Sequence, residues 1–183
     1  MRRYTMELYD VRITGLYNKN LYFVTTCQEE IVLAKKKKQI IISKKDAVFW
    51  MNENGDWYNE HGKFEHPKII KHFHASIQKD KDGYYLYQET DDHEEKVYFP
   101  FQDTAIFVFD VKEKDKDIIL QLNNRNTIKL DPEKLFEKDD KLFLKTDEHL
   151  VKFTDRALLK VSRFLEEKSG QLFFKINGSS YPV

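Results

Sequence analysis

The sequence predicts an α+β fold of two structurally similar units, each an antiparallel meander or small barrel closed by one amphipathic helix and a strand. Three observations predict it. Short runs rich in β-branched and aromatic residues fill most of the 183 residues. Two helical patterns interrupt them, one opening at Pro67 and the other after Thr154. Each pattern leads into a charged hinge, a glycine and an aromatic strand, and the two copies register at an offset of 88 positions, the distance from Ile69 to Ala157.

Taken in order, the runs MELYDVRI, LYFVTTC, EEIVLA, QIIIS and DAVFWM before residue 52 read as strands, because the breaks between them are too short for ordinary helices. Lys35 to Lys38, with Lys44 and Lys45, form a basic cluster that suits either phosphate contact or a solvated hairpin tip protecting a sheet edge. The turn NENG at 52–55 leads to Trp57 and Tyr58, and a hairpin ends near Phe64. Pro67 suits a first helical position, where its missing N–H would have no partner anyway. Ile69, Ile70, Phe73 and Ile77 then share an arc of about 100°. The helix is expected to stop near Gln78, before KDKDG and the strand YYLY.

The polar window ETDDHEE divides the chain into units at 1–91 and 92–183. The second unit opens with about six strands, from VYFPF to EHLVKF. Thr154 or Asp155 caps a helix whose apolar stripe is Ala157, Leu158, Val161 and Leu165. Shifted by the same offset, the stripe of the first helix falls on these four residues.

Composition narrows the function. The 31 Lys and Arg balance 31 Asp and Glu, so no global field points to DNA, and any anion site is a local patch. Cys27 alone allows neither an intramolecular disulfide nor a multi-cysteine metal site. MRRYTMELYD lacks the apolar region of a signal peptide and no run reaches the ~20 apolar residues of a membrane span, so a cytoplasmic protein is expected. His72 and His74 project about 200° apart on a helix, which disfavours a metal site there, and no cofactor is expected. GxSxG, P-loop, GxGxxG and HExxH patterns are absent, so the expectation is a non-enzymatic protein.

The polar helix faces carry the remaining signal. Arg156, Lys160 and Arg163 make one basic ridge, and Lys68 and His72 occupy equivalent positions on the first helix. Both ridges suit phosphate or carboxylate, although the same pattern describes an ordinary solvated face. Trp57 and Tyr58 offer a stacking surface.

GDWYNEHGKFEHPKIIKHF, DGYYLYQE with KVYFPFQDTAIFVFDV, and DEHLVKFTDRALLKVSRFLEEKSGQLFFKINGSSYPV together resemble a bacterial family known only as a domain of unknown function. Asp103 matches an acidic residue before a short apolar strand of that family, and Arg156 matches an arginine near the start of its last helix. The resemblance covers roughly residues 52–183. It implies a duplicated α+β core, a second unit like a pleckstrin-homology fold, and a nucleotide-like or nucleic-acid-like ligand at the interface of the units, with Asp103 as a positioning residue. A protein-interaction module using exposed sheet edges is the alternative. An enzyme with an unfamiliar site built around Asp103, a histidine and an arginine ranks below both.

Overall fold

The computed structural model of the chain describes residues 16–17, 20–21, 37–90 and 92–183. They belong to two compact units, 1–36 and 37–183. In the first, β1 (Leu16–Tyr17) pairs antiparallel with β2 (Asn20–Leu21). The rest of the first three expected strand runs, together with Cys27, Lys35 and Lys36, lies outside the described residues.

In the second unit, β3 (Lys38–Ile42) is followed by a small antiparallel sheet of β4 (Phe49–Met51), β5 (Trp57–Asn59) and β6 (Gly62–Lys63). The turn between β4 and β5 is held by Asn52, whose Oδ1 accepts from the N–H groups of Asn54 at 3.0 Å and Asp56 at 2.8 Å. Gly55 closes it at φ +80°, and a Cβ there would meet the Phe107 ring at 3.0 Å. Glycine is therefore required twice over, by the backbone angle and by the approach of the ring.

Helix α1 (Pro67–Ala75) starts at the proline, as its chemistry dictates, and ends one turn earlier than the sequence suggests. Ser76 caps its end by donating its N–H and its hydroxyl to the His72 carbonyl. Ile77, expected on the helical stripe, instead opens β7 (Ile77–Asp80). The stripe also turns: Ile69 is 46% exposed, while Ile70 and Phe73 pack on the core and His74 is the buried residue. A polar side chain is tolerated there because His74 Nδ1 meets the amide of Asn123 at 3.2 Å. Asn123 is itself satisfied, donating to the Ala105 carbonyl at 2.9 Å and accepting from the Phe107 N–H at 3.1 Å. Burial holds the His74 imidazole down to about 4, so it is neutral at pH 7.

β8 (Gly83–Glu89) and β9 (His93–Tyr98) complete a four-stranded sheet in the order β3-β9-β8-β7. The polar window chosen to divide the chain at 91/92 lies between β8 and β9, which pair from Tyr85 with Tyr98 to Glu89 with Glu94. A six-stranded sheet follows, built from β10 (Ile106–Lys114), β11 (Asp117–Leu122), β12 (Thr127–Lys129), β13 (Leu135–Lys138), β14 (Lys141–Lys145) and β15 (Leu150–Phe153) in the order β12-β11-β10-β15-β14-β13. Neither large sheet is a pure antiparallel meander, since β3 pairs parallel with β9 and β10 with β15, and no closed barrel forms among the described residues. Parallel neighbours need a long crossover, and the intervening strands supply it in both sheets.

Helix α2 (Asp155–Val161) begins at Thr154, whose Oγ1 accepts from the Ala157 N–H at 3.3 Å and donates to the Val108 carbonyl at 2.8 Å. Ala157 and Val161 are fully buried. A 3₁₀ turn at Ser162–Phe164 ends the helical path, so Leu165, expected on the stripe, opens β16 (Leu165–Lys168). β17 (Gln171–Ile176) and β18 (Ser179–Pro182) finish a three-stranded sheet. Asn177 and Gly178 both take positive φ, at 53° and 80°, the pairing that a tight hairpin of this hand needs. Each helix thus leads directly into an antiparallel hairpin, Ile77–Asp80 with Gly83–Glu89 and Leu165–Lys168 with Gln171–Ile176. One apolar core joins these elements, with Met51, Trp57, Phe99, Phe107, Leu120, Val151, Val161 and Phe174 at its centre.

Candidate functional site

Lys152 lies in the middle of β15 between the buried Val151 and Phe153, and its own side chain is 5% exposed. An ammonium removed from water is costly unless it is paired and hydrogen-bonded. Here it donates to Asp103 Oδ2 at 2.7 Å and to the Glu53 carbonyl at 2.8 Å, with the Phe143 ring 5.6 Å away. Asp103 is placed by a φ of +54°, a conformation that Asp tolerates better than most residues. The NENG turn supplies the Glu53 carbonyl, and Gly55 lets that turn lie close against Phe107.

Lys152 forms part of the wall of a pocket of about 240 Å³, with Glu53 and Asn54 on one side and Lys141, Thr154, Asp155 and Arg156 on the other. Lys141 lies 3.6 Å from Asp155. Arg156 is exposed and makes no ion pair or side-chain hydrogen bond among the described residues, although its charge helps to hold down the Asp110 carboxyl, so its five N–H donors remain available. Lys152 and Lys141 are answered by Asp103 and Asp155, so Arg156 is the cation of this concave space that has no ion pair among the described residues, and its fork is suited to a phosphate or carboxylate group.

The other expected site residues are placed differently. Lys160 is bonded to Asp110 of β10, and Arg163 is paired with Glu113 of the same strand and lies 4.9 Å over the Phe164 ring. The bond from Lys160 holds the Asp110 carboxyl below the usual carboxylate range. The ridge is thus real as a face, but two of its three members are already neutralised and only Arg156 borders the pocket. Lys68 and His72 are on the exposed face of α1 and do not line the pocket.

Trp57 is 1% exposed, with ring contacts to Phe49, Phe73 and Phe99 at 5.7, 5.3 and 4.8 Å, so no face is left for an incoming base. Tyr58 is stacked on Trp50 at 6.1 Å, and that half-exposed pair is the aromatic surface of this sheet. Asp103 meets the pocket through Lys152. Sequence reasoning missed Lys141 and Lys152, and an alternating strand such as LVKF would normally point its lysine at solvent.

No protein-family model matches the sequence, and no curated protein does. Among solved structures, the chain is similar to a DUF1285 family protein from Silicibacter pomeroyi DSS-3, with 11% identity, a TM-score of 0.54, and coverage of 80% of this chain and 84% of that one. The fold resembles that of an uncharacterised bacterial family. A second DUF1285 protein, from Shewanella baltica OS155, aligns at 17% identity with a TM-score of 0.45, over 63% of this chain and 91% of that one. Among the described residues no group of three or more His, Cys, Asp or Glu could hold a metal ion, and no helix is long and apolar enough to cross a membrane.

Proposed function

We propose that this protein is a non-enzymatic, cytoplasmic binding or regulatory protein that holds the anionic group of a nucleotide-like or nucleic-acid-like ligand in the Lys141–Lys152–Arg156 pocket. In this reading the chain is a duplicated α+β protein of units 1–91 and 92–183, the second like a pleckstrin-homology fold. Glu53 and Asn54 approach from the first unit and the three cations from the second. The matched helix-and-hairpin pairs at the 88-residue offset support the duplication.

The observation that carries the proposal is the Arg156 guanidinium, which has no ion pair or hydrogen bond among the described residues, beside a pocket whose inner wall holds the buried Lys152–Asp103 pair. A volume of about 240 Å³ suits one phosphate group and leaves the rest of a ligand at the surface.

Titration with a nucleoside triphosphate and with short single-stranded oligonucleotides tests the reading. Binding is expected at low salt, weakening as salt rises, and falling by about tenfold or more in Lys141→Ala combined with Arg156→Ala. Absence of binding at low salt, or equal binding by the double variant, overturns it. The alternative is a protein-interaction module using exposed sheet edges. A protein partner that co-purifies equally with the double variant would decide for that alternative.

A further inference from the structure

A second concave site lies on a different part of the molecule and shares no lining residue with the anion pocket. The β7–β8 hairpin faces the loop after β11 and the loop before β15 across a cleft of about 570 Å³. Two bonds span it. The Tyr84 hydroxyl meets His149 Nδ1 at 2.9 Å, and Lys79 donates to the Glu148 carbonyl.

The hydrogen positions follow from the surroundings. Burial pushes the Tyr84 phenol up to about 12 and, with Lys79 nearby, holds the His149 imidazole below its ordinary value. The phenol is therefore protonated and the imidazole neutral, and with Tyr84 assigned as the donor to Nδ1 the ring hydrogen of His149 sits on Nε2. That Nε2 lies 3.7 Å from Glu148 Oε2, beyond hydrogen-bonding range, and its donor is open to the cleft.

Two amides are committed in the same sense. Gln78 spends its carbonyl on the Tyr85 hydroxyl at 3.0 Å, and Asn124 spends its own on the Asn126 N–H at 3.2 Å. Each keeps an NH₂ group to offer. Lys79 has two further hydrogens. His149, Gln78, Asn124 and Lys79 thus bring donors to one cleft, whereas the carboxylates at its rim are those of Asp147, whose Oδ1 accepts from Lys134 at 3.4 Å and whose other oxygen is exposed, and of Glu148. The third carboxylate, Asp80, is occupied by the Tyr98 hydroxyl at 2.7 Å and Lys96 at 3.2 Å.

We propose that this cleft binds a small zwitterion, a free α-amino acid, with its carboxylate on the donors of His149, Gln78, Asn124 and Lys79 and its ammonium toward Asp147 and Glu148. A polyphosphate meets two opposing carboxylates here, a simple carboxylate leaves both acids unused, and a simple amine leaves the donors unused. The volume is within the range of small-molecule pockets.

Calorimetric titration of the full chain with the standard L-amino acids, and with acetate and methylamine as half-ligands, is the test. At least one amino acid is expected to bind about tenfold or more tightly than either half-ligand. Asn124→Asp, which replaces a donor by an acceptor of the same shape, and Lys79→Met are each expected to weaken binding about tenfold. Arg156→Ala is expected to leave it unchanged, which separates this site from the anion pocket. Thermal unfolding of each variant establishes that it is folded. The proposal is overturned if no amino acid binds, if acetate or methylamine binds as tightly, or if both variants bind like the parent chain.

Discussion

Helices α1 and α2 hold corresponding places, each leading from a sheet into a hairpin, yet they are fastened by opposite means. α1 has no side-chain cap at His66 and buries a histidine, and that histidine is joined to Asn123, just past the end of β11. α2 is capped by Thr154, buries only Ala157 and Val161, and ties its polar face to the carboxylates of β10. A buried polar contact stabilises only while both partners keep the right protonation state, whereas caps and apolar packing are indifferent to pH near neutrality. The first helix should therefore be the pH-sensitive one.

The largest predicted effect tests that difference. His74 titrates near 6.5 in an unfolded chain and at about 4 in the folded one. Above pH 6.5 it is neutral in both states and costs nothing. As pH falls from 6.5 toward 4, the unfolded state takes up the proton and the native state does not, so stability is lost through that window. At about 1.4 kcal/mol per pH unit, the loss approaches roughly 3 kcal/mol by pH 4. Urea unfolding across this range should show a steeper decline for the parent chain than for His74→Gln, which has no proton to gain. His149, also held below its ordinary value, adds to the slope in both proteins, so the difference between them isolates His74. Parallel slopes would show that α1 is not fastened through a neutral histidine.

A smaller effect probes the other helix. Thr154→Ala removes both the cap and the bond to the Val108 carbonyl and should cost about 1–2 kcal/mol, while Thr154→Ser should restore most of it. The loss should be the same at pH 5 and pH 7. A pH-dependent cost would place a titrating group against α2 and erase the contrast between the helices.

Where each helix starts was legible because the signals are local: a proline at 67 and a hydroxyl at 154 act on the neighbouring turn. Where each ends was not. Ile77 and Leu165 satisfy a helical period and a strand equally, and the decision belongs to the hairpins that follow. The strands were visible from Gln39 onward, but alternation says which face is apolar and nothing about neighbours, so the parallel pairs β3–β9 and β10–β15 could not be read. The Lys141–Lys152–Arg156 pocket was half visible. Arg156 and Asp103 were singled out, whereas Lys152 is a lysine in a strand whose burial depends on contacts 49 residues away to Asp103 and 99 residues away to Glu53.

The smallest effect concerns the ridge itself. Arg156, Lys160 and Arg163 look equivalent in sequence, but Lys160 and Arg163 form ion pairs with Asp110 and Glu113, whereas Arg156 only adds to the field at Asp110. Those pairs are largely solvent-exposed, so Lys160→Ala should cost less than about 1 kcal/mol, with a deficit that shrinks as salt is added. Its consequence for binding is more telling than its consequence for stability. Lys160 does not line the pocket, so under the proposed function its removal should leave nucleotide binding close to the parent value, whereas Arg156→Ala should weaken it. If Lys160→Ala weakens binding as much as Arg156→Ala does, the whole ridge acts on the ligand, and the pairs with β10 must open when the ligand arrives.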